Sequence, residues 1–183
     1  MQLPTDLASD TQTQEAVART AEAFGRLDVL VNAAGTDVPG SVEELDVEGW
    51  DRTLAVNLRA PFLLSKTAFP LMREAGGGTI VNLSSVAGKK CWANASAYCA
   101  SKFGLTGLTE ALAEEGRTHG IRAIVIYPGA MATNWDAFSP EVRGEGGDTS
   151  PATATVRSVS RQGSRANGGP YRDPACVLGA ALS

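Results

Sequence analysis

No apolar run in the chain approaches the ~20 residues that a membrane-spanning helix requires. The opening Met1-Gln2-Leu3-Pro4-Thr5-Asp6 has neither the basic region nor the apolar core of a secretory signal. Cysteine is scarce and odd in number: three residues, Cys91, Cys99 and Cys176, without metal-ligand spacing. That argues against a disulfide framework or a metal site and for a reduced, cytoplasmic protein. Positive charge is also in deficit, with a net charge of −4, which argues against nucleic acid or an acidic membrane as partner. What is present is an ordinary globular composition, 43 % hydrophobic and 20 % charged, in 183 residues, enough for one compact domain.

The patterning alternates between strand and helix. Met1–Asp6 reads as the end of a strand. Asp10–Phe24 is an amphipathic helix with Ala16, Val17, Ala21 and Phe24 on its apolar side, stopped by Gly25. Leu27–Val31 is a short apolar strand feeding the small-residue turn Asn32-Ala33-Ala34-Gly35. Trp50–Glu74 is a long helical stretch that Pro61 should kink or divide, because proline removes a helix hydrogen bond. Thr79–Leu83 is a strand ending at Ser84-Ser85, Ser96–Arg117 a helix, and Ile121–Tyr127 a strand closed by Pro128-Gly129. Strands joined by helices imply an α/β fold with a parallel sheet, whose ligands bind beyond the carboxyl ends of the strands. Those ends are where Asn32–Gly35, Ser84-Ser85 and Pro128-Gly129 fall. Residues 1–150 therefore read as the domain that carries the chemistry. Residues 151–183 hold four arginines and one acidic residue, and their core-forming aliphatics are only Val156, Val159, Val177, Leu178 and Leu182, so an irregular tail is expected there.

Tyr98 and Lys102 are four residues apart in a helix and share a face. Ser85 ends a strand, and the loop after it can return to the same sheet edge. Such a trio suits proton transfer at a carbonyl or alcohol. An ammonium ~4 Å from the phenol at an effective dielectric of ~20 is worth at most ~4 kcal/mol, or ~3 pKa units, enough to bring tyrosine toward neutrality. The Ser85 hydroxyl would polarise the substrate oxygen. Taken alone, the tyrosine–lysine pair reads as an exposed helix pair. Asn57 alone reads as a brace for the backbone break near Pro61, Asn32 as a tie between strands, and Thr133 as a loop residue. Cys99 reads as a small apolar helix residue. His119, in a turn after the long helix, is not assigned a catalytic role. Trp92, Trp135 and Phe138 lie in loops beside these motifs, as pocket lining or as ordinary aromatics.

In combination, these motifs resemble the short-chain dehydrogenase/reductase family over about residues 3–143. Asn32-Ala33-Ala34-Gly35 matches the family's Asn-Asn-Ala-Gly turn, with alanine at its second position. Asn57, Ser85, Tyr98 and Lys102 match the family's catalytic tetrad, and Pro128, Gly129 and Thr133 match its Pro-Gly-x-x-x-Thr segment. The resemblance implies hydride transfer between NAD or NADP and a small carbonyl or secondary-alcohol substrate. Tyr98 would be the acid/base, Lys102 would lower its pKa and hold the nicotinamide ribose, Ser85 would hold the substrate oxygen and Asn57 a relay water. Asp6 and Leu7 would meet the adenine, and Asn32, Ala33 and Gly35 would line the cofactor path. It also implies a homo-oligomer formed through the helices at Trp50–Glu74 and Ser96–Arg117. A sugar-nucleotide epimerase shares the tyrosine–lysine pair but would need a longer C-terminal domain.

The departures from the family are as specific as the matches. The strand, the Thr-Gly-x-x-x-Gly-x-Gly turn, the helix and the second strand that open the family's fold have no counterpart here. The expected fold is therefore a Rossmann-type three-layer α/β fold lacking its first strand–helix–strand unit. The strand ending at Asp6 would have no proper neighbour, and that at Leu27–Val31 an exposed edge. The alternative function is a catalytically silent fragment that keeps only interaction surfaces, because the glycine-rich turn that receives the pyrophosphate is missing.

Overall fold

The computed structural model describes residues 1–128, 153–160 and 176–182. The elements run β1 (Gln2–Asp6), α1 (Asp10–Phe24), β2 (Val29–Asn32), α2 (Val47–Leu54), α3 (Ala60–Glu74), β3 (Gly78–Leu83), α4 (Ser96–Gly116), β4 (Ile121–Ile126), β5 (Thr153–Ser160) and β6 (Cys176–Leu182). Sequence dictates several of these boundaries directly. Ser9 caps α1 by accepting from the Gln12 amide, and Gly25 ends it in the left-handed region at φ 72°. Asp46 caps α2 by accepting from the Gly49 amide at 2.6 Å.

Between α2 and α3 the helix widens to a single π turn over Ala55–Arg59, in which the Ala60 amide donates to the Ala55 carbonyl. The cause lies two residues further on. Pro61, in the first turn of α3, has no N–H to give the carbonyl of Asn57 four residues earlier. The division expected at Pro61 is thus a π turn, and Asn57 sits inside it.

The strands form one sheet in the order β1-β5-β6-β2-β3-β4. β6, β2, β3 and β4 are mutually parallel, and β5 runs antiparallel to both its neighbours. This is a Rossmann-like α/β arrangement. The register lines up Leu178, Leu30 and Ile80 across the three central strands, all fully buried. Val17, Val56, Leu64, Ala68 and Met72 from the helices close over them to make the core. α1 packs on α3, and α4 packs on α2 and β4. On the alternate face of β4, Ile124 and Ile126 are exposed. Where β3 begins, the chain passes so close to the turn before β4 that a Cβ on Gly77, at φ 135°, would lie 2.5 Å from the Gly120 carbonyl oxygen.

The sequence reading is corrected in one region. Residues 151–183 are not irregular throughout: Thr153–Ser160 and Cys176–Leu182 are strands. A low aliphatic count over the whole segment hides two short stretches of strand-favouring Thr and Val, and pairing partners elsewhere in the chain decide their state. The consequence is structural. β5 gives β1 its neighbour and β6 covers the edge of β2, so neither strand is left bare. Among the described residues, no helix is long and apolar enough to cross a membrane.

Candidate active site

The carboxyl ends of β2 and β3 and the first turns of α4 meet at one edge of the sheet. Asn32 ends β2, and its Nδ2 donates to Asn82 Oδ1 at 2.7 Å; Asn82 in turn donates to Thr109 Oγ1 on α4 at 2.8 Å. This buried chain of amides locks β2, β3 and α4 together. Ser85 follows β3 and caps a short turn, its Oγ accepting from the Ala87 amide at 3.2 Å. The turn presses against α4 because residue 88 is glycine: a Cβ there would sit 2.4 Å from Ser84 Oγ and 2.9 Å from the Lys102 carbonyl oxygen.

The structure brings Ser85, Tyr98 and Lys102 together. The Ser85 side chain is near enough to act on the Tyr98 hydroxyl. The Lys102 ammonium donates to the Leu83 carbonyl at 3.0 Å and lies 5.6 Å from the centre of the Tyr98 ring. Both side chains are buried, at 5 % and 4 % exposure. That burial sets the electrostatics. The phenol of Tyr98 is pushed above the ordinary tyrosine range, first by burial and further by the Asp37 carboxylate, with the Ser85 side chain opposing. Lys102 is pulled down to about 8 by burial.

The expectation that Lys102 would draw the tyrosine toward neutrality is therefore corrected. A pairwise Coulomb argument placed the ammonium beside the hydroxyl in a medium of intermediate dielectric. In the structure the ammonium is held at the end of β3, and both groups have left water.

Lys102 thus carries a cost that can be measured. Its lowered folded pKa means that the folded chain binds fewer protons than the unfolded one between about pH 8 and 10.5, so stability rises with pH through that window. Below about pH 8 the full penalty applies, about 3 kcal/mol. Lys102→Met keeps the stem's volume and forfeits the Leu83 bond, worth about 1 kcal/mol. The variant should be more stable than the parent by about 2 kcal/mol at pH 7, and the advantage should fade toward pH 10. Urea melts at the two pH values check this; a variant no more stable at pH 7 refutes it.

Asn57 reaches the same region from the π turn. Its Oδ1 accepts from the Thr36 amide at 2.8 Å, while Nδ2 donates to the Thr36 carbonyl at 2.8 Å and to Ser101 Oγ at 3.0 Å. Both amide hydrogens are engaged, so the side chain positions the loop after β2. Two partners escaped the sequence reading: Ser101, buried on α4, and Asp37, 6 % exposed, whose charge reaches Tyr98. An acidic residue two positions after a glycine turn at a strand end was the available signal.

Other expected residues are placed as follows. Asp6 accepts from the Ala8 amide at 2.9 Å, and Leu7 is a core residue at 2 % exposure. Ala33 and Gly35 lie in the loop after β2, and half-buried Pro128 follows β4. Gly129, Thr133, Trp135 and Phe138 lie outside the described residues. Trp92 packs on Ala87, Ala95, Tyr98 and Cys99. His119 precedes β4, at the opposite end of the sheet, edge-on to Phe69. Among the described residues no cluster of metal-ligating side chains occurs.

The sequence model for short chain dehydrogenases matches residues 1–143. The chain belongs to the short-chain dehydrogenase family. It is similar to an uncharacterized oxidoreductase of Thermotoga maritima, 46 % identical over 124 residues, covering 68 % of this chain and 49 % of the relative. It is likewise similar to the D-threitol dehydrogenase of Mycolicibacterium smegmatis, 41 % identical over 136 residues, covering 72 % and 52 %. Among solved structures it resembles a metagenomic short-chain oxidoreductase in complex with NADP, with 41 % identity and a TM-score of 0.66 over 69 % of this chain and 57 % of the other. Levodione reductase superposes with 34 % identity and a TM-score of 0.71 over 76 % and 57 %. This short-chain dehydrogenase chain thus spans about half the length of the curated relatives it matches.

At the nicotinamide-ribose end of a dinucleotide the described residues fit. Lys102 can donate three hydrogen bonds and has one acceptor among the described residues, and the buried Asn32 Oδ1 has no partner among them. The turn after β1, Leu7-Ala8-Ser9, holds no glycine and Asp10 opens its helix, so this turn is not itself a phosphate cradle.

Proposed function

We propose that this chain carries the proton-transfer half of an NAD- or NADP-dependent oxidoreductase acting on a small secondary alcohol or ketone. The observation that supports it is the meeting of Ser85, Tyr98 and Lys102 at the end of β3, with Lys102 buried one helical turn from the tyrosine and anchored on the Leu83 carbonyl. When bound, the nicotinamide supplies the hydride acceptor or donor. Tyr98 Oη gives a proton to the substrate oxygen in reduction and takes it in oxidation. Ser85 Oγ donates to the same oxygen and orients it. Lys102 Nζ is anchored on the Leu83 carbonyl and donates to the ribose hydroxyls. Asn57 is a positioning residue that holds the loop at Thr36. Relatives named for alcohols, D-threitol and trans-4-hydroxycyclohexanecarboxylate dehydrogenases, support the substrate class. NADP in the metagenomic neighbour supports the cofactor class. A homo-oligomer is part of the proposal: the open cavity of about 1030 Å³ along α2 and α3 is lined by Leu54, Leu58, Phe62 and Leu108 and holds none of the four tetrad residues.

The second reading is a fragment silent in catalysis that retains interaction surfaces, such as the open cavity lined by Leu54, Leu58, Phe62 and Leu108. The deciding experiment is a fluorescence titration of the full chain with NADH and with NADPH. The proposal expects saturable binding of at least one, with enhanced nicotinamide emission. A soluble chain that melts cooperatively and binds neither supports the silent reading and overturns the first.

A further inference from the structure

The two described cysteines share one cavity, apart from the proton-transfer groups. Cys91 is exposed on the loop before α4, and Cys99 is buried in that helix's first turns. Both line a cavity of about 510 Å³ together with Trp92, Phe103, Val42 and Gly40. The Cys91 side chain and the backbone at Trp92 both act on the Cys99 thiol at close range. The loop between them is short and pinned. Gly40 donates to the Asn94 carbonyl at 3.1 Å, Asn94 takes a positive φ of 61°, and the Cys99 amide donates to the Ala95 carbonyl at 2.8 Å.

We propose that Cys91 and Cys99 form a peroxide-sensitive dithiol that oxidises to an intramolecular disulfide beside Tyr98. Exposure decides the order of events. Hydrogen peroxide reaches Cys91 first and converts its thiol to a sulfenic acid, releasing one water. The Cys99 sulfur then attacks the Cys91 sulfur. The S–O bond breaks, the S–S bond forms, and the hydroxide leaves as water with the Cys99 proton. Two thiols lose two electrons and two hydrogens, and one peroxide is reduced to two waters.

Burial and the Cys91 contact hold the Cys99 thiol up at about 11, so it stays protonated and unreactive toward peroxide until a sulfenic acid stands next to it. The product ties the loop that carries Trp92 to α4. Trp92 packs against the buried cluster that holds Tyr98 and Cys99, so the bridge changes the wall next to the acid/base tyrosine.

The test needs neither cofactor nor substrate. The full chain is reduced, treated with hydrogen peroxide, and analysed by intact mass and non-reducing peptide mapping. The expected result is a mass lower by two hydrogens, a cross-linked peptide joining Cys91 and Cys99, Cys176 recovered as a free thiol, and reversal by dithiothreitol. In Cys99→Ser the sulfenic acid at Cys91 should persist and be trapped by dimedone. The proposal is overturned if Cys91 gains oxygen in the parent chain while Cys99 stays free. It is equally overturned if the cross-link joins Cys176 or two chains, or if neither described thiol reacts.

Discussion

Tyr98→Phe is expected to lower turnover of a secondary alcohol by roughly 10²–10⁴-fold while leaving nicotinamide binding and folding in place. The ring stays where it packs, among Ala87, Ala95, Cys99 and Trp92, so the hydrophobic part of its burial is unchanged. Only the hydroxyl is lost, and with it its interaction with Ser85 and the proton that the proposed role requires. A neutral polar interaction of this kind is worth about 1 kcal/mol, so stability should change by no more than that.

The pH profile separates a proton-transfer role from a packing role. Burial and Asp37 hold the phenol above its ordinary value. Phenolate is therefore scarce at neutral pH, and alcohol oxidation by the parent should climb with pH through the range up to about 10. Ketone reduction needs the protonated form and should stay flat across the same range. The phenylalanine variant should show a low rate without the climb. A variant that keeps the parent's rate, or a parent whose oxidation levels off by neutral pH, removes Tyr98 from the role of acid/base.

Local signals were legible in the sequence; depth and long-range pairing were not. α1 spans Asp10–Phe24 as its apolar spacing and Gly25 predict, because cap, stripe and stop lie within the segment itself. The parallel β2, β3 and β4 are similarly local, each a short apolar run bounded by small residues. β5 and β6 are different. Their pairing with β1 and β2 joins residues more than a hundred positions apart, and nothing within 151–183 announces it.

The site divides the same way. Helical spacing placed Tyr98 and Lys102 on one face. It did not show that the ammonium would be withdrawn to the Leu83 carbonyl, because that depends on a strand end 19 residues earlier. The direction of the Tyr98 shift was misread for the same reason: charge pairs can be counted from a sequence, whereas desolvation is a property of the packed chain. Asn57 stood out as a residue beside a proline break, but Thr36 and Ser101, its partners 21 and 44 positions away, carried no local mark.

Those partners make Asn57 the site where one substitution should do the most structural damage. Asn57→Leu has nearly the same volume and removes all three hydrogen bonds. The Thr36 N–H and C=O then lose their partners in a part-buried loop, while the Ser101 hydroxyl keeps its bond to the Tyr98 carbonyl. Each stranded Thr36 group costs about 1–3 kcal/mol, so the variant should lose about 2–5 kcal/mol of stability, a large share of what a domain of this size possesses.

The damage should also be directional. Thr36 leads into Asp37, whose charge acts on Tyr98, and Ser101 donates to the Tyr98 carbonyl at 2.7 Å. Releasing the loop should therefore move the Asp37 carboxylate away and let the phenol fall back toward its ordinary range. Asn57→Asp separates the two effects. It retains an acceptor for the Thr36 amide but brings no donor for the Thr36 carbonyl or Ser101, so it should fall between the parent and the leucine variant in stability. Chemical denaturation of the three proteins measures the first effect, and ultraviolet titration of the tyrosines the second. If Asn57→Leu melts with the parent, the clamp at Thr36 is not what holds this loop, and the positioning role assigned to Asn57 falls with it.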